Sequence, residues 1–188
     1  MPDGADHVAF AYSADGKDRF MTVYPNLNLL DGTTKTTKTA NIHENDDASI
    51  VVWDPKQLSG KNVTGSVYLD NTKSNNDVWA QLYTTNGVLS GNVVKAGQKG
   101  YSTFSGKVPT ITDNNANIAF KTPTKVNDTI TFDYSEMKVE EGSTATPWMP
   151  SSSEAKVEDY PSYIGSYTDN KSTEQSTNPD RYKWKKIG

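Results

Sequence analysis

The chain alternates apolar and polar residues over short stretches, and no window of eleven or more residues carries an uninterrupted helical repeat. Residues 78–83 show the alternation best, because one set of side chains is apolar and the other is aromatic or polar. The apolar set is Val78, Ala80 and Leu82, and the other set is Trp79, Gln81 and Tyr83. Since successive side chains of a strand point to opposite faces of a sheet, we expect the first set to face a core and the second to face outward.

Further short segments have strand character, and clusters of Asp, Asn, Gly and Pro separate them. They are residues 49–53, 63–69, 101–108, 117–121 and 129–139. Short strands at this spacing predict an all-β fold, a β-sandwich. Within the last segment the apolar parity shifts, which predicts a β-bulge near Ser135 and Glu136.

Charge and composition exclude several classes of protein. The 188 residues contain 19 Lys and Arg against 23 Asp and Glu, without any block of like charge, so nucleic acid is not an expected partner. The absence of Cys excludes thiolate metal sites, disulfide bonds and Cys nucleophiles. No apolar stretch approaches membrane-spanning length and the first residues do not resemble a signal peptide, so no membrane is expected as a partner.

Aromatic residues are numerous although the apolar content is low. Four Trp, ten Tyr and five Phe accompany an apolar fraction of 34% and a mean hydropathy of −0.73. This balance argues against disorder and favours a surface-recognition module over an enzyme. No carboxylate pair carries a catalytic motif, and we expect the two histidines, His7 and His43, in exposed loops, so catalysis is not predicted.

One motif follows the last strand predicted in the central region. It consists of Lys138, Glu140, Gly142, Ala145, Thr146 and Trp148. With this motif, the stretch from Asn28 onward resembles the jelly-roll carbohydrate-binding modules of phage tail and baseplate proteins, in which K-x-E-x-G followed by x-A-T-x-W closes the domain.

Two further sets of residues flank this region. The first is Ala11, Tyr12, Ser13, Asp15, Gly16 and Phe20, and the second is Tyr163, Ile164, Gly165, Tyr167, Asp169, Ser176, Pro179, Tyr182, Trp184, Ile187 and Gly188. They resemble the two halves of a small module in tail-associated structural proteins of lactic-acid-bacteria phages, although one residue usual between Tyr12 and Ser13 is missing. The resemblance implies a jelly-roll β-sandwich inserted in a small flanking unit, since compact domains often have neighbouring termini.

The predicted organisation has four parts. Residues 1–24 form the first half of the small unit and residues 25–149 form the jelly-roll module. Residues 150–159 are polar and lack an apolar pattern, which is typical of a linker. Residues 160–188 are aromatic again but too few to hold a core alone, and they form the second half of the small unit.

A sugar ring has an apolar face of C–H groups and a rim of hydroxyls, so it binds to an exposed aromatic platform beside short polar side chains. The outward set of residues 78–83 offers such a platform, and we expect the strand at 63–69 to be its neighbour and to extend it. The candidate site residues are Trp79, Tyr83, Tyr68, Gln81, Asp70 and, at the rim, Tyr101. Alternatively, long loops cover this face and make Trp79 part of a second core.

The resemblance implies non-catalytic binding of host cell-wall polysaccharide by a tail or baseplate protein of a siphophage that infects a Gram-positive bacterium. The expected location is the virion tail or baseplate, acting at the bacterial surface, and the expected partners are the wall saccharide and other baseplate or tail proteins. The rival interpretation is an assembly module that docks another baseplate subunit through its aromatic face. No cofactor is expected, except that modules of this type often hold a structural Ca²⁺ near the position of Glu136.

Overall fold

The computed structural model describes residues 4–43, 50–51, 54–123 and 129–188, with only the backbone of 50–51. The chain divides into two compact units, one of which interrupts the other. The smaller unit comprises Met1–Asn26 and Ala155–Gly188, and the larger unit comprises Leu27–Glu154. The predicted linker is therefore divided between the two units.

Eleven strands are described: β1 (Ala5–Ala11), β2 (Lys38–Ile42), β3 (Ile50–Val51), β4 (Asn62–Asp70), β5 (Trp79–Thr84), β6 (Gly87–Ser90), β7 (Lys99–Lys107), β8 (Ala116–Lys121), β9 (Ile130–Glu141), β10 (Tyr163–Asp169) and β11 (Lys183–Lys186). Three single turns of 3₁₀ helix accompany them, at Pro55–Leu58, Val157–Asp159 and Pro179–Arg181.

The larger unit is a sandwich of two four-stranded antiparallel sheets. The first sheet has the strand order β2-β9-β4-β7, and the second has the order β3-β8-β5-β6. The prediction of an all-β jelly-roll sandwich inserted in a small flanking unit is confirmed.

The core of the sandwich uses the side chains that the alternation predicts. Val78, Ala80 and Leu82 of β5 have no exposed surface. Phe120 of the second sheet meets Phe132 of the first edge-on, with their ring centroids 5.1 Å apart. Burying one large apolar side chain stabilises the fold by about 1.5–3 kcal/mol, so this packing is the main attraction between the sheets.

The predicted β-bulge is present in β9. Ser66 of β4 pairs with Lys138, but Tyr68 pairs with Ser135, so β9 holds one residue more than β4 over the same interval. Glu136 lies in this interval and has a φ of 59°. The extra residue explains the parity shift, because it lets apolar residues on both sides of the bulge face the core.

The smaller unit contains a three-stranded antiparallel sheet in the order β1-β10-β11. Trp184 of β11 packs against Gly165 of β10 and against Gly16, and a Cβ at either glycine would collide with the indole ring. Gly16 also has a φ of 77°, which favours glycine. Two glycines of the flanking motif are therefore required by the tryptophan of the same motif.

His7 does not lie in an exposed loop, and that prediction is wrong. It lies on β1, is 5% exposed, and stacks on Tyr167 with ring centroids 4.6 Å apart. Its Nε2 lies 2.8 Å from Oδ1 of Asp169. These partners come from β10, far along the chain, so the sequence around the histidine did not reveal them. His43 is exposed, as predicted.

Several strands were not predicted from the sequence, namely β1, β2, β6, β10 and β11. Of the predicted strand at 49–53, β3 covers Ile50–Val51, and the remaining residues, Trp53 among them, lie outside the described part of the chain. Among the residues that the structure describes, no helix is long and apolar enough to cross a membrane.

Candidate functional site

The six predicted site residues lie on two different sheets. The first-sheet group is Tyr68, Asp70 and Tyr101, and the second-sheet group is Trp79, Gln81 and Tyr83. Both groups point away from the core and therefore occupy opposite outer faces of the sandwich. The prediction that they form one platform is wrong, because the chain crosses to the other sheet between β4 and β5, and β5 pairs with β8 and β6.

The second-sheet group, which we call the Trp79 row, follows one side of β5. Trp79 and Tyr83 are partly buried, and Gln81 between them is only 7% exposed. A strand rises about 3.3 Å per residue, so Trp79 and Tyr83 lie about 13 Å apart along β5, with Gln81 between them. Val88 of β6, which is 42% exposed, is the strand partner of Tyr83. The row thus combines two aromatic rings with little exposed polar surface, and its role as a platform stays a prediction.

The first-sheet group belongs to a more open and more polar surface. Tyr68 and Tyr101 are cross-strand partners, and their rings meet edge-on with centroids 5.1 Å apart. Tyr101 is 49% exposed. The edge-on contact fixes its ring while leaving part of it in solvent. We call this surface, formed by Tyr68, Asp70, Tyr101, Asp133 and Glu136, the tyrosine face.

Glu136 holds the hydroxyl of Tyr101 in place. That hydroxyl donates a hydrogen bond to Oε1 of Glu136 at 3.0 Å. The β9 bulge sets this contact, because it inserts Glu136 beside Ser135, the strand partner of Tyr68. Partial burial, together with the negative charge of Glu136, raises the pKa of Tyr101 to about 12. The hydroxyl therefore stays protonated at neutral pH and serves as a fixed donor.

Two carboxylates lie next to the tyrosine pair. Asp70 and Asp133 are direct partners across β4 and β9, an arrangement of like charges that is unfavourable without compensation. Lys73 Nζ donates to Asp133 at 2.9 Å, and Thr39 donates to the same carboxylate at 2.8 Å. The hydroxyl and backbone N–H of Thr72 donate to Asp70 at 2.6 and 3.1 Å.

These hydrogen bonds keep both carboxylates ionised. The bond from Lys73 is the largest cause that lowers the pKa of Asp133, and the bonds from Thr72 lower the pKa of Asp70. A general acid in glycoside hydrolysis needs a raised pKa. The pair therefore suits hydrogen-bond acceptance better than proton donation.

The other half of the same outer face is covered by residues 142–148, which we call the closing segment. Beneath it, Lys138 Nζ lies 3.3 Å from Oε2 of Glu140, and both side chains are 1% exposed. Lys138 donates to the Thr146 hydroxyl and to the Pro147 carbonyl, both at 2.8 Å, and Glu140 accepts from the backbone N–H of Thr146 at 3.0 Å. Burial lowers the pKa of the Lys138 ammonium, against the effect of Glu140.

Residues of the sequence motif thus hold the closing segment on the sheet, since Lys138 and Glu140 bind Thr146 and Pro147. Trp148 completes this attachment by donating from Nε1 to the Thr33 hydroxyl at 2.9 Å. A Lys and a Glu two residues apart on a strand share one face, and this was the available signal that they act together. Their burial could not be predicted, because the closing segment that covers them has no apolar pattern of its own.

The surroundings of Glu136 do not fit a carboxylate-rich calcium site. Its carboxylate accepts from Tyr101, and nowhere in the described ranges do three or more His, Cys, Asp or Glu residues gather as metal ligands. Calcium needs about six or more oxygen ligands, and one carboxylate that already accepts from a tyrosine does not supply them.

No protein-family model and no curated protein sequence matches the chain. Among solved structures, the chain is similar to one in the tripod from the baseplate of bacteriophage Tuc2009, with a TM-score of 0.77 and 26% sequence identity over 100% of this chain and 80% of that chain. A second similarity, to the CBM22-1 and GH10 modules of a xylanase from Clostridium thermocellum complexed with xylohexaose, has a TM-score of 0.34 and 13% identity over 78% and 30%. That score is too low to establish a shared fold. The first similarity extends over the whole chain, and the resemblance to phage tail and baseplate proteins is confirmed.

Proposed function

We propose that the chain is a non-catalytic saccharide-binding protein of a phage baseplate, that it binds cell-wall polysaccharide of a Gram-positive host, and that the tyrosine face is the binding surface. The observation that carries this proposal is the half-exposed Tyr101, fixed between Tyr68 and Glu136 and bordered by ionised carboxylates. Similarity along the whole chain to a phage baseplate structure supports the location in the virion and contact with other baseplate proteins.

The tyrosine pair would supply the apolar part of recognition. An exposed aromatic ring can stack on the C–H face of a pyranose, and edge-on contacts between rings contribute about 0.5–1.5 kcal/mol beyond burial. Because Tyr68 and Glu136 already hold Tyr101, little rotational freedom is lost when a sugar binds.

The neighbouring ionised groups would supply the polar part. Carboxylates accept hydrogen bonds from sugar hydroxyls, and bonds to an ionised group are stronger than bonds between neutral groups. Asp70 and Asp133 are held by Thr72, Thr39 and Lys73, so their oxygens are in position before a ligand arrives. Such an arrangement selects the direction of hydroxyl groups around a stacked ring.

Binding at one face is expected to be weak. The surface is open, so a bound sugar buries a small area, and part of the gain offsets lost translational freedom. A baseplate that displays several copies close together would raise the apparent affinity through effective concentration. Weak single sites and strong adhesion of the virion are therefore compatible.

Titration calorimetry with purified cell-wall polysaccharide tests the proposal. We expect saturable binding by the wild type, at least a tenfold loss in Tyr101→Ala, and near wild-type affinity in Tyr83→Ala, a matched tyrosine of the Trp79 row. Loss in Tyr83→Ala alone would move the site to the second sheet. Absence of binding by a folded wild type, together with complex formation with another baseplate protein, would favour the rival assembly role.

A further inference from the structure

A cleft opens in the larger unit, and its lining contains no residue of the tyrosine face or of the Trp79 row. Its volume is about 410 Å³, within the range of about 300–1,000 Å³ typical of small-molecule sites. Residues of three segments line it, and those used below are Leu27, Leu29, Asp31, Gln57, Ser152 and Ser153. We call it the serine cleft.

Asn28 fixes the first wall of the serine cleft. Its side chain is 3% exposed, and its Nδ2 donates to the Thr33 hydroxyl at 2.9 Å and to the Met137 carbonyl at 2.8 Å. Its Oδ1 accepts from the backbone N–H groups of Leu30 and Val139 at 3.1 and 3.0 Å. All four bonds tie the wall to itself and to β9, so its backbone is rigid.

The second wall is tied to the first. Ser151 is 4% exposed and forms a parallel bridge with Asn28. Glu154 accepts from the Ser151 hydroxyl at 3.0 Å through one oxygen and from the backbone N–H of Gly32 at 2.9 Å through the other. One carboxylate therefore clamps both walls at a fixed separation.

Polar groups remain available on these rigid walls. Over residues 4–43, 54–123 and 129–188, the side chains of Gln57 and Ser152 have no hydrogen-bond partner, while Asp31 accepts from the Ser153 hydroxyl at 3.1 Å. Leu27 and Leu29 add apolar surface beside them. The cleft thus presents an amide, a hydroxyl and a carboxylate next to aliphatic side chains.

We propose that the serine cleft is a second binding site, one that takes a single neutral sugar unit. Its size fits one ring, Leu27 and Leu29 would cover C–H groups, and Asp31 and Gln57 would bind hydroxyls. Asp31 is the one ionised residue among the described lining residues, so phosphorylated or carboxylated sugars are disfavoured by charge. This site shares no residue with the tyrosine face and does not depend on it.

The test is an NMR titration of the ¹⁵N-labelled full chain with glucose, galactose, rhamnose, N-acetylglucosamine and, for contrast, glucose 6-phosphate. We expect saturable shifts of the Gln57 side-chain amide and the Ser152 and Ser153 backbone signals with at least one neutral sugar, and weaker shifts with the phosphate.

Three variants make the outcome decisive. Gln57→Ala should weaken the titration about tenfold, whereas Gln98→Ala, an exposed glutamine elsewhere, should not change it. Tyr101→Ala should leave the cleft signals responsive, so that failure of the tyrosine face and failure of the cleft are separable. Cleft signals that stay unmoved by every neutral sugar, or shifts confined to the tyrosine face, would overturn the proposal.

Discussion

The outer face of the first sheet has two halves that β4 and β9 both build but that end in different environments. In one half, Lys138 and Glu140 form an ion pair beneath the closing segment, with both side chains 1% exposed. In the other half, Lys73 and Asp133 form an ion pair beside the tyrosines, and their side chains are 58% and 14% exposed. The strand alternation is the same in both halves, so it determines which side chains leave the core but not which of them reach solvent.

The difference also separates two roles for the same chemistry. A buried pair stabilises the fold only while both partners are present, because removal of one leaves an uncompensated charge. A pair with one exposed partner contributes less to stability, and part of it stays in contact with solvent, where a ligand can reach it. The covered half is therefore expected to respond to mutation in stability, and the open half in binding.

The largest effect is expected in the covered half. Glu140→Gln removes the charge that faces buried Lys138, and we expect the free energy of unfolding to fall by about 3 kcal/mol or more. Glu141→Gln is the matched control, since its partner Lys61 and Glu141 itself are 45% and 59% exposed, and a change of at most about 1 kcal/mol is expected. Urea unfolding measures both, and equal losses would contradict the distinction between the halves.

A glycine pair tests the core packing beneath the first sheet, where Gly65 lies under the covered half and pairs with Val139. A Cβ at Gly65 would collide with the Phe104 ring, whereas a Cβ at Gly100 meets nothing within 4 Å. We expect Gly65→Ala to destabilise the fold by about 1–3 kcal/mol through overpacking. Gly100→Ala should have a smaller effect in the same thermal or urea unfolding experiment. A Gly65→Ala variant as stable as wild type would show that the core relaxes easily there.

Tyr101→Phe sharpens the account of the open half. The ring remains, but the hydrogen bond to Glu136 is lost, and such a bond is worth about 0.5–1.5 kcal/mol. We expect polysaccharide affinity to fall by roughly two- to tenfold, less than in Tyr101→Ala, with cooperative unfolding retained. Tyr83→Phe on the second sheet should bind like the wild type. Phe and Ala variants with equal, undiminished affinity would remove Tyr101 from the site.

The smallest expected effect is on how the stability of the fold changes at acidic pH. The lowered pKa of Asp133 in the folded protein means that its contribution to stability is complete above about pH 4 and is lost as pH falls through the folded value. We therefore expect Asp133→Asn to lose less stability than the wild type between pH 6 and pH 3. Lys73→Gln should behave similarly, because it removes the main cause of the shift. Identical losses in all three proteins would contradict this assignment.

Much of the sandwich could be predicted from local alternation. Val78, Ala80 and Leu82 face the core as expected, and the parity shift located the bulge at Glu136. The smaller unit was different, since β1 and β10 pair across most of the chain and their alternation is broken by residues such as His7. Its strands were not predicted, and only the family resemblance indicated that the two ends of the chain form one unit.

The candidate site was predicted in part. The alternation correctly predicted that Trp79 and Tyr68 face away from the core. It could not show which strands pair, because strands that follow one another in sequence need not be neighbours in a sheet. In this jelly roll the chain passes from one sheet to the other after β4, so β4 and β5 belong to different sheets. The role of Glu136 was also unpredictable, because the hydrogen bond to Tyr101 depends on a bulge that brings together two distant strands.

The most direct test of the central claim is the binding of fluorescently tagged protein to Gram-positive cells before and after their wall polysaccharide is stripped. We predict saturable labelling by the wild type and by Trp79→Ala, and loss of labelling both in Tyr101→Ala and on stripped cells. Undiminished labelling by a folded Tyr101→Ala variant, or labelling that survives stripping, would contradict saccharide binding through the tyrosine face.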